Sequence, residues 1–87
     1  MNKKVALVTG SAKRIGKEIV LHLANNNYQP LIHYNKSGKE ARNLKKSLFD
    51  RGIVSKIIKY DLNNINNIKK FSRECIKKFG KIDLLIN

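Results

Sequence analysis

Four short runs rich in β-branched and other apolar residues punctuate the chain: "KVALVT" (Lys4 to Thr9), "QPLIHY" (Gln29 to Tyr34), "IVSKIIKY" (Ile53 to Tyr60) and "IDLLI" (Ile82 to Ile86). Between them lie three segments whose apolar residues recur at helical spacing. Ile15, Ile19, Val20, Leu23 and Ala24 mark the first, which should stop at Asn25 to Asn27 because Asn favours caps and turns. The second should open at "SGKE", Ser37 to Glu40, whose spacing is that of a capping box, and turn Ala41, Leu44 and Leu48 inward. The third carries Ile65, Ile68, Phe71, Cys75, Ile76 and Phe79, with Lys69, Lys70, Arg73, Lys77 and Lys78 mostly on the other side, and ends at Gly80. Strand–helix–strand alternation limits the chain more than any other feature. It specifies an α/β fold with a parallel sheet and right-handed crossovers.

At 87 residues the chain suits one small domain. Its formal charge of +13 invites a nucleic-acid reading. The excess is spread over the whole sequence, however, where 15 Lys, 11 Asn and 11 Ile make up 37 of 87 residues. Cys75 is the one cysteine, so an internal disulfide is excluded, and no zinc-ligand cluster surrounds it; a small core residue is expected. The apolar run near the start covers only Val5 to Val8 and there is no long apolar stretch, so no membrane span and a cytoplasmic location are expected. His22 and His33 lack metal or catalytic spacing and are expected at the surface and at a cofactor rim. Asp83 is expected to be a turn or strand-start residue, and metal ligands are not expected.

"VTGSAKRIG", Val8 to Gly16, falls between the first strand and the first helix. A bend there presents backbone N–H groups and the positive end of a helix dipole to an anion. Gly10 suits the tight turn and Gly16 the close packing of helix on strand, as in dinucleotide-binding folds, while Arg14 stands where a middle glycine is usual. At the end of the second strand, an NAD site would place Asp or Glu against the ribose hydroxyls. "HYNKS", His33 to Ser37, has no acid. Lys36 and Ser37 can instead meet a 2′-phosphate from one side while Lys13 and Arg14 reach it from the turn. Each such charge-assisted hydrogen bond is worth about 1.5–3 kcal/mol, so the expected cofactor is NADP (NADPH).

"TGSAKRIG", "HYNKS", "YDL" and "GKIDLLIN" resemble, in order and spacing, the amino-terminal part of short-chain dehydrogenases/reductases. "AKRIG" followed by "HYNKS" looks most like their pteridine reductase branch, whose members reduce pterins or folates with NADPH. The resemblance covers essentially the whole chain. It implies that Arg14 and Ile15 line the cofactor, that His33, Asn35, Lys36 and Ser37 form the 2′-phosphate pocket, and that Asp61 and Leu62 touch the adenine. Asn87 would be the first residue of the family's Asn-Asn-Ala motif.

Within the doubly wound order of a Rossmann-like sheet, the chain supplies strands one to four, in order 3-2-1-4, and three helices. Helices one and two should cover one face and helix three the other, leaving that second face thinly covered and strand four as an apolar edge. The chain departs from the family in catalysis, which needs Tyr with Lys four positions later. Tyr28, Tyr34 and Tyr60 are followed at that spacing by Ile32, Gly38 and Asn64. No catalytic residue is assigned, and the expected unit is a single partial dinucleotide-binding domain, residues 1–87, lacking its catalytic half. It would need a complementing carboxyl-terminal half or a homo-oligomer. The alternative is a basic, non-catalytic remnant of the same fold that binds anions or nucleic acid, against which the few aromatics, not interleaved with the cations, count.

Overall fold

The computed structural model describes residues 3–87, apart from the side chain of Ile65, which was expected on the apolar stripe of the third helix. The apolar runs become β1 (Lys4–Val8), β2 (Tyr28–Tyr34), β3 (Lys56–Lys59) and β4 (Leu84–Ile86). The helical segments become α1 (Arg14–Asn25), α2 (Gly38–Asp50) and α3 (Ile68–Phe79), the last preceded by a 3-10 turn at Ile65–Asn67. Every strand pair is parallel and the order is β3-β2-β1-β4, as the alternation predicts.

Side-chain alternation along the strands divides the core in two. Ala6, Val8 and Ile32 meet Val20, Leu23 and Ala24 of α1 and Ala41, Leu44 and Leu48 of α2. On the other face, Leu7, Leu31 and Ile58 meet Phe71 and Cys75 of α3. Burial pushes the Cys75 thiol up to about 11, as suits an inert core residue. Two helices on one face and one on the other follow from right-handed crossovers that run outward from β1 to β3 and then back to β4.

Several local expectations change. The third strand is shorter than its apolar run because the Ile53 N–H donates to the Leu48 carbonyl and completes the end of α2. Pairing with β2 therefore begins only at Lys56, opposite Leu31. α2 does begin after Ser37, but the Ser37 hydroxyl makes no capping bond, its backbone (φ −92°, ψ 49°) lying outside the extended conformation a cap requires. Ile15, expected on the inward stripe, is 77% exposed, and Ile68 and Ile76 of α3 also face outward. α3 grips the sheet mainly through Phe71 and Cys75. Its Ile68 and Ile76 border a groove of about 610 Å³ whose far wall includes Ile82 and Leu85.

The two edges of the sheet differ. β3 carries Lys56 and Lys59, the kind of charge that discourages edge-to-edge pairing. β4 is Leu-Leu-Ile, with Leu85 57% exposed.

β4 is also shorter than expected, because Asp83 precedes it as a clamp. Its N–H donates to the Val5 carbonyl, and its carboxylate accepts the Val5 N–H at 2.8 Å and lies 3.2 Å from Lys81 Nζ. The Val5 hydrogen bond, followed by Lys81, holds the Asp83 carboxyl below the usual aspartate range. A carboxyl whose pKa is lower folded than unfolded adds stability above its unfolded value and loses that contribution as pH falls through the folded one. Asp83→Asn is therefore expected to lower the urea midpoint at pH 7, with the gap from the wild type closing as pH drops below about 4. A gap independent of pH would show that the charge has no part in the clamp.

Candidate dinucleotide-binding site

Parallel strands bring their carboxyl ends to one rim of the sheet, and the sequence-predicted residues gather there. Gly10 to Gly16 follow β1, Asn35 to Ser37 follow β2, Asp61 and Leu62 follow β3, and Asn87 follows β4. The strand order reverses between β1 and β4, where the chain returns across the sheet from β3, and a crevice opens at such a point. Thr9 spans it: its N–H donates to the Ile86 carbonyl at 2.9 Å and its hydroxyl to Asn87 Oδ1 at 3.0 Å.

The turn after β1 depends on two close fits. Gly10 has φ 59°, a left-handed conformation that glycine adopts without strain. A Cβ on Gly16 would overlap the Gly10 carbonyl oxygen and come within 2.7 Å of Ser11 Cα, so only glycine lets α1 start this close to β1. The turn is then pinned to β2 by three bonds. Ser11 N–H donates to the His33 carbonyl (3.0 Å), Ser11 Oγ accepts the His33 N–H (3.1 Å), and His33 Nδ1 accepts the Gly10 N–H (2.9 Å).

His33 is thus not at the rim, as the sequence suggested, but 3% exposed, with its Nε2 bonded to the Tyr60 carbonyl at 2.8 Å. Both ring nitrogens are occupied by the protein, which removes the ring from any direct contact with a 2′-phosphate. Position in sequence could not show this, because the preceding strand hides which way residue 33 points until the pairing register is known.

α1 begins at Arg14 with Lys13 at its N-cap, no side-chain capping bond and no acid in its first turn. Its leading N–H groups therefore remain available, as an anion site requires. Lys13, Arg14 and Lys17 stand together at this positive end, where cations are unfavourable unless an anion joins them. They share a groove with Glu40, Asn43 and Ser47 of α2, residues that the sequence reading did not single out. Lys36 stands exposed in the link from β2 to α2 and does not line that groove, and Asn35 and Ser37 are half-buried. Asp61 is exposed and its carboxylate accepts the Asn63 N–H, forming a turn; Leu62 is exposed beside it. Among the described residues, no cluster of His, Cys, Asp or Glu could hold a metal ion, and no helix is long and apolar enough to cross a membrane.

Residues 4–87 match the short chain dehydrogenase family. The chain belongs to that family. It is 31% identical over 84 residues to the hydroxynaphthalene reductase-like protein Arp2 of Metarhizium robertsii, covering 97% of this chain and 32% of that protein. With the 3-oxoacyl-[acyl-carrier-protein] reductase FabG of Staphylococcus epidermidis it shares 32% identity over 87 residues, all of this chain and 35% of FabG. The crystal structure of acetoin dehydrogenase from Enterobacter cloacae superposes with a TM-score of 0.91 at 28% identity, over 99% of this chain and 34% of that one. The chain thus spans about a third of the length of these relatives.

In this member of the family, Arg14 stands where a dinucleotide-binding turn usually has its middle glycine and retains a glycine-like backbone, with φ 58°. A side chain in that conformation costs about 1–2 kcal/mol, part of which Gly gives back through greater unfolded-state freedom, about 0.5–1 kcal/mol. Arg14→Gly is therefore expected to stabilise the fold by about 0.5–1 kcal/mol relative to Arg14→Ala, which keeps the strain. Gly16→Ala is expected to destabilise by about 1–3 kcal/mol. Urea unfolding of the three variants reads both effects, and an Arg14→Ala protein more stable than Arg14→Gly would refute the strain.

Proposed function

We propose that these 87 residues are the cofactor-binding portion of an NADPH-dependent short-chain reductase, of the branch that reduces pterins or folates. The observation that carries the reading is the uncapped start of α1 with Lys13, Arg14 and Lys17 gathered at its positive end. A phosphate there satisfies open N–H groups and relieves repulsion among the three cations. The link after β2, Asn35-Lys36-Ser37, brings a cation and a hydroxyl rather than a carboxylate to the ribose side, which supports a 2′-phosphate over a bare ribose.

The residues fit the cofactor in separate roles. The first turn of α1 holds the pyrophosphate, Lys13 and Arg14 from the turn and Lys36 and Ser37 from the link after β2 meet the 2′-phosphate, Ile15 lines the cofactor, Asp61 and Leu62 border the adenine, and Asn87 lies toward the nicotinamide side. Bound NADPH supplies a hydride. The proton that must accompany it comes from a Tyr with Lys four positions later in the family resemblance, and that pair is not within these residues. The 87 residues alone are accordingly expected to bind cofactor without turning over dihydropterin or dihydrofolate. A cytoplasmic location is supported by a nicotinamide cofactor and a lone, buried thiol.

Fluorescence titration tests the cofactor. NADPH is expected to bind more tightly than NADH, and Arg14→Ala or Lys36→Ala to weaken NADPH about tenfold or more while scarcely moving NADH. Equal losses for both cofactors would mean that neither residue reads the 2′-phosphate.

The partner in this reading is a polypeptide that adds a strand beyond β4 and a helix over the groove beside α3, either the other half of the family fold or a second copy of the chain. The lysine-free β4 edge and the outward Ile68, Ile76 and Leu85 support it, since parallel sheets are normally covered on both faces. Leu85→Lys is expected to reduce self-association of the 87-residue chain in sedimentation velocity. An unchanged distribution would place association elsewhere.

A further inference from the structure

His33 contacts both walls of the site from below. Its ring is held edge-on to Phe71, centroids 5.6 Å apart and planes at 70°, and Phe71 in turn stacks on Tyr60 at 4.4 Å. The Gly10 N–H can only donate, so Nδ1 must present its lone pair; the Tyr60 carbonyl can only accept, so Nε2 must carry the proton. One neutral tautomer meets both demands. Each wall also has its own tie to β2: Ser11 pairs with the His33 backbone, and the Tyr60 N–H donates to the Tyr34 carbonyl. Among the described hydrogen bonds, however, the His33 ring is the one side chain bonded to both the turn after β1 and the segment after β3.

We infer that His33 is a positioning residue: its ring sets the spacing between the phosphate-binding turn and the adenine-side segment Tyr60–Leu62, and so governs affinity for an adenine nucleotide that spans them. This rests on the dinucleotide reading of the site. A rigid five-membered ring adds a direct tie between two loops that are otherwise joined only through their separate backbone bonds to β2. It also leaves the Gly10 N–H committed, so that the phosphate is met by the N–H groups at the start of α1.

Two near-isosteres separate the two bonds. Asn at position 33 places an acceptor where Nδ1 stands but does not reach Tyr60, whereas Gln reaches the Tyr60 carbonyl with an N–H but offers no acceptor at the Nδ1 position. Amide hydrogen exchange is expected to show Gly10 protected in the wild type and His33→Asn, and exposed in His33→Gln and His33→Ala. Calorimetric titration with 2′,5′-ADP is expected to show binding weakened about tenfold or more by His33→Ala. Pyrophosphate binding should be restored by His33→Asn alone and adenosine binding by His33→Gln alone, a split that general loss of packing does not produce. Should His33→Ala prove unfolded by circular dichroism, the Asn and Gln pair carries the comparison. Wild-type-like 2′,5′-ADP affinity in both Asn and Gln variants, or pyrophosphate and adenosine losses that do not separate between them, would overturn the inference. Failure of the wild type to bind any of the three ligands would overturn the dinucleotide reading, and the nucleotide role of His33 with it, while Gly10 protection would still report whether the ring bond exists.

Discussion

A parallel strand that turns sharply into a helix leaves backbone N–H groups with no partner in the sheet, and the way these are satisfied determines the rim of this molecule. After β1 they are met by β2 rather than by the turn itself: the His33 carbonyl accepts the Ser11 N–H and its ring the Gly10 N–H, while the His33 N–H donates in return to Ser11 Oγ. A neutral hydrogen bond contributes about 0.5–1.5 kcal/mol net, and leaving a buried donor unmet costs about 1–3 kcal/mol. The three bonds together therefore weigh heavily against the marginal stability of so small a domain. They also explain why α1 starts where it does, because the turn cannot retreat from β2 without stripping Ser11 and Gly10 of partners.

Much of this was legible in the sequence. Strand number, parallel pairing, sheet order and the face each helix covers follow from alternation and handedness, which are global rules insensitive to single residues. Asn25 to Asn27 stop α1 as expected, with Asn27 in a left-handed conformation at φ 70°. What sequence could not show is where a residue's side chain goes once register is fixed. His33 reads as a polar residue at a strand end and is in fact a buried bridge. Ile15, Ile68 and Ile76 read as core and lie outside it, because helical spacing identifies an apolar stripe but not the width of the sheet available to cover it. Ser37 has the capping residue and the spacing but not the backbone angles.

Charge also looks different in place. Spread over the whole chain, the excess of Lys and Arg resembles a compositional habit. At the start of α1 it acquires a location, since Lys13, Arg14 and Lys17 stand where the helix dipole is already positive and no acid occupies the first turn. Arg14 pays twice for its place, in electrostatic repulsion and in a left-handed backbone.

The unlike edges of the sheet bear on how far aggregation can run. A molecule with two adhesive edges can add copies head to tail without limit and grow into fibres. Among the described residues, exposed Lys59 charges the β3 edge while Lys56 turns onto α3, and Leu84 to Ile86 form the apolar edge. Were copies of these residues to pair edge to edge at β4, each would consume its adhesive surface and growth would stop at a pair. Charge on β3 would then act as a chain terminator, turning a potential polymer of 87-residue units into a finite assembly.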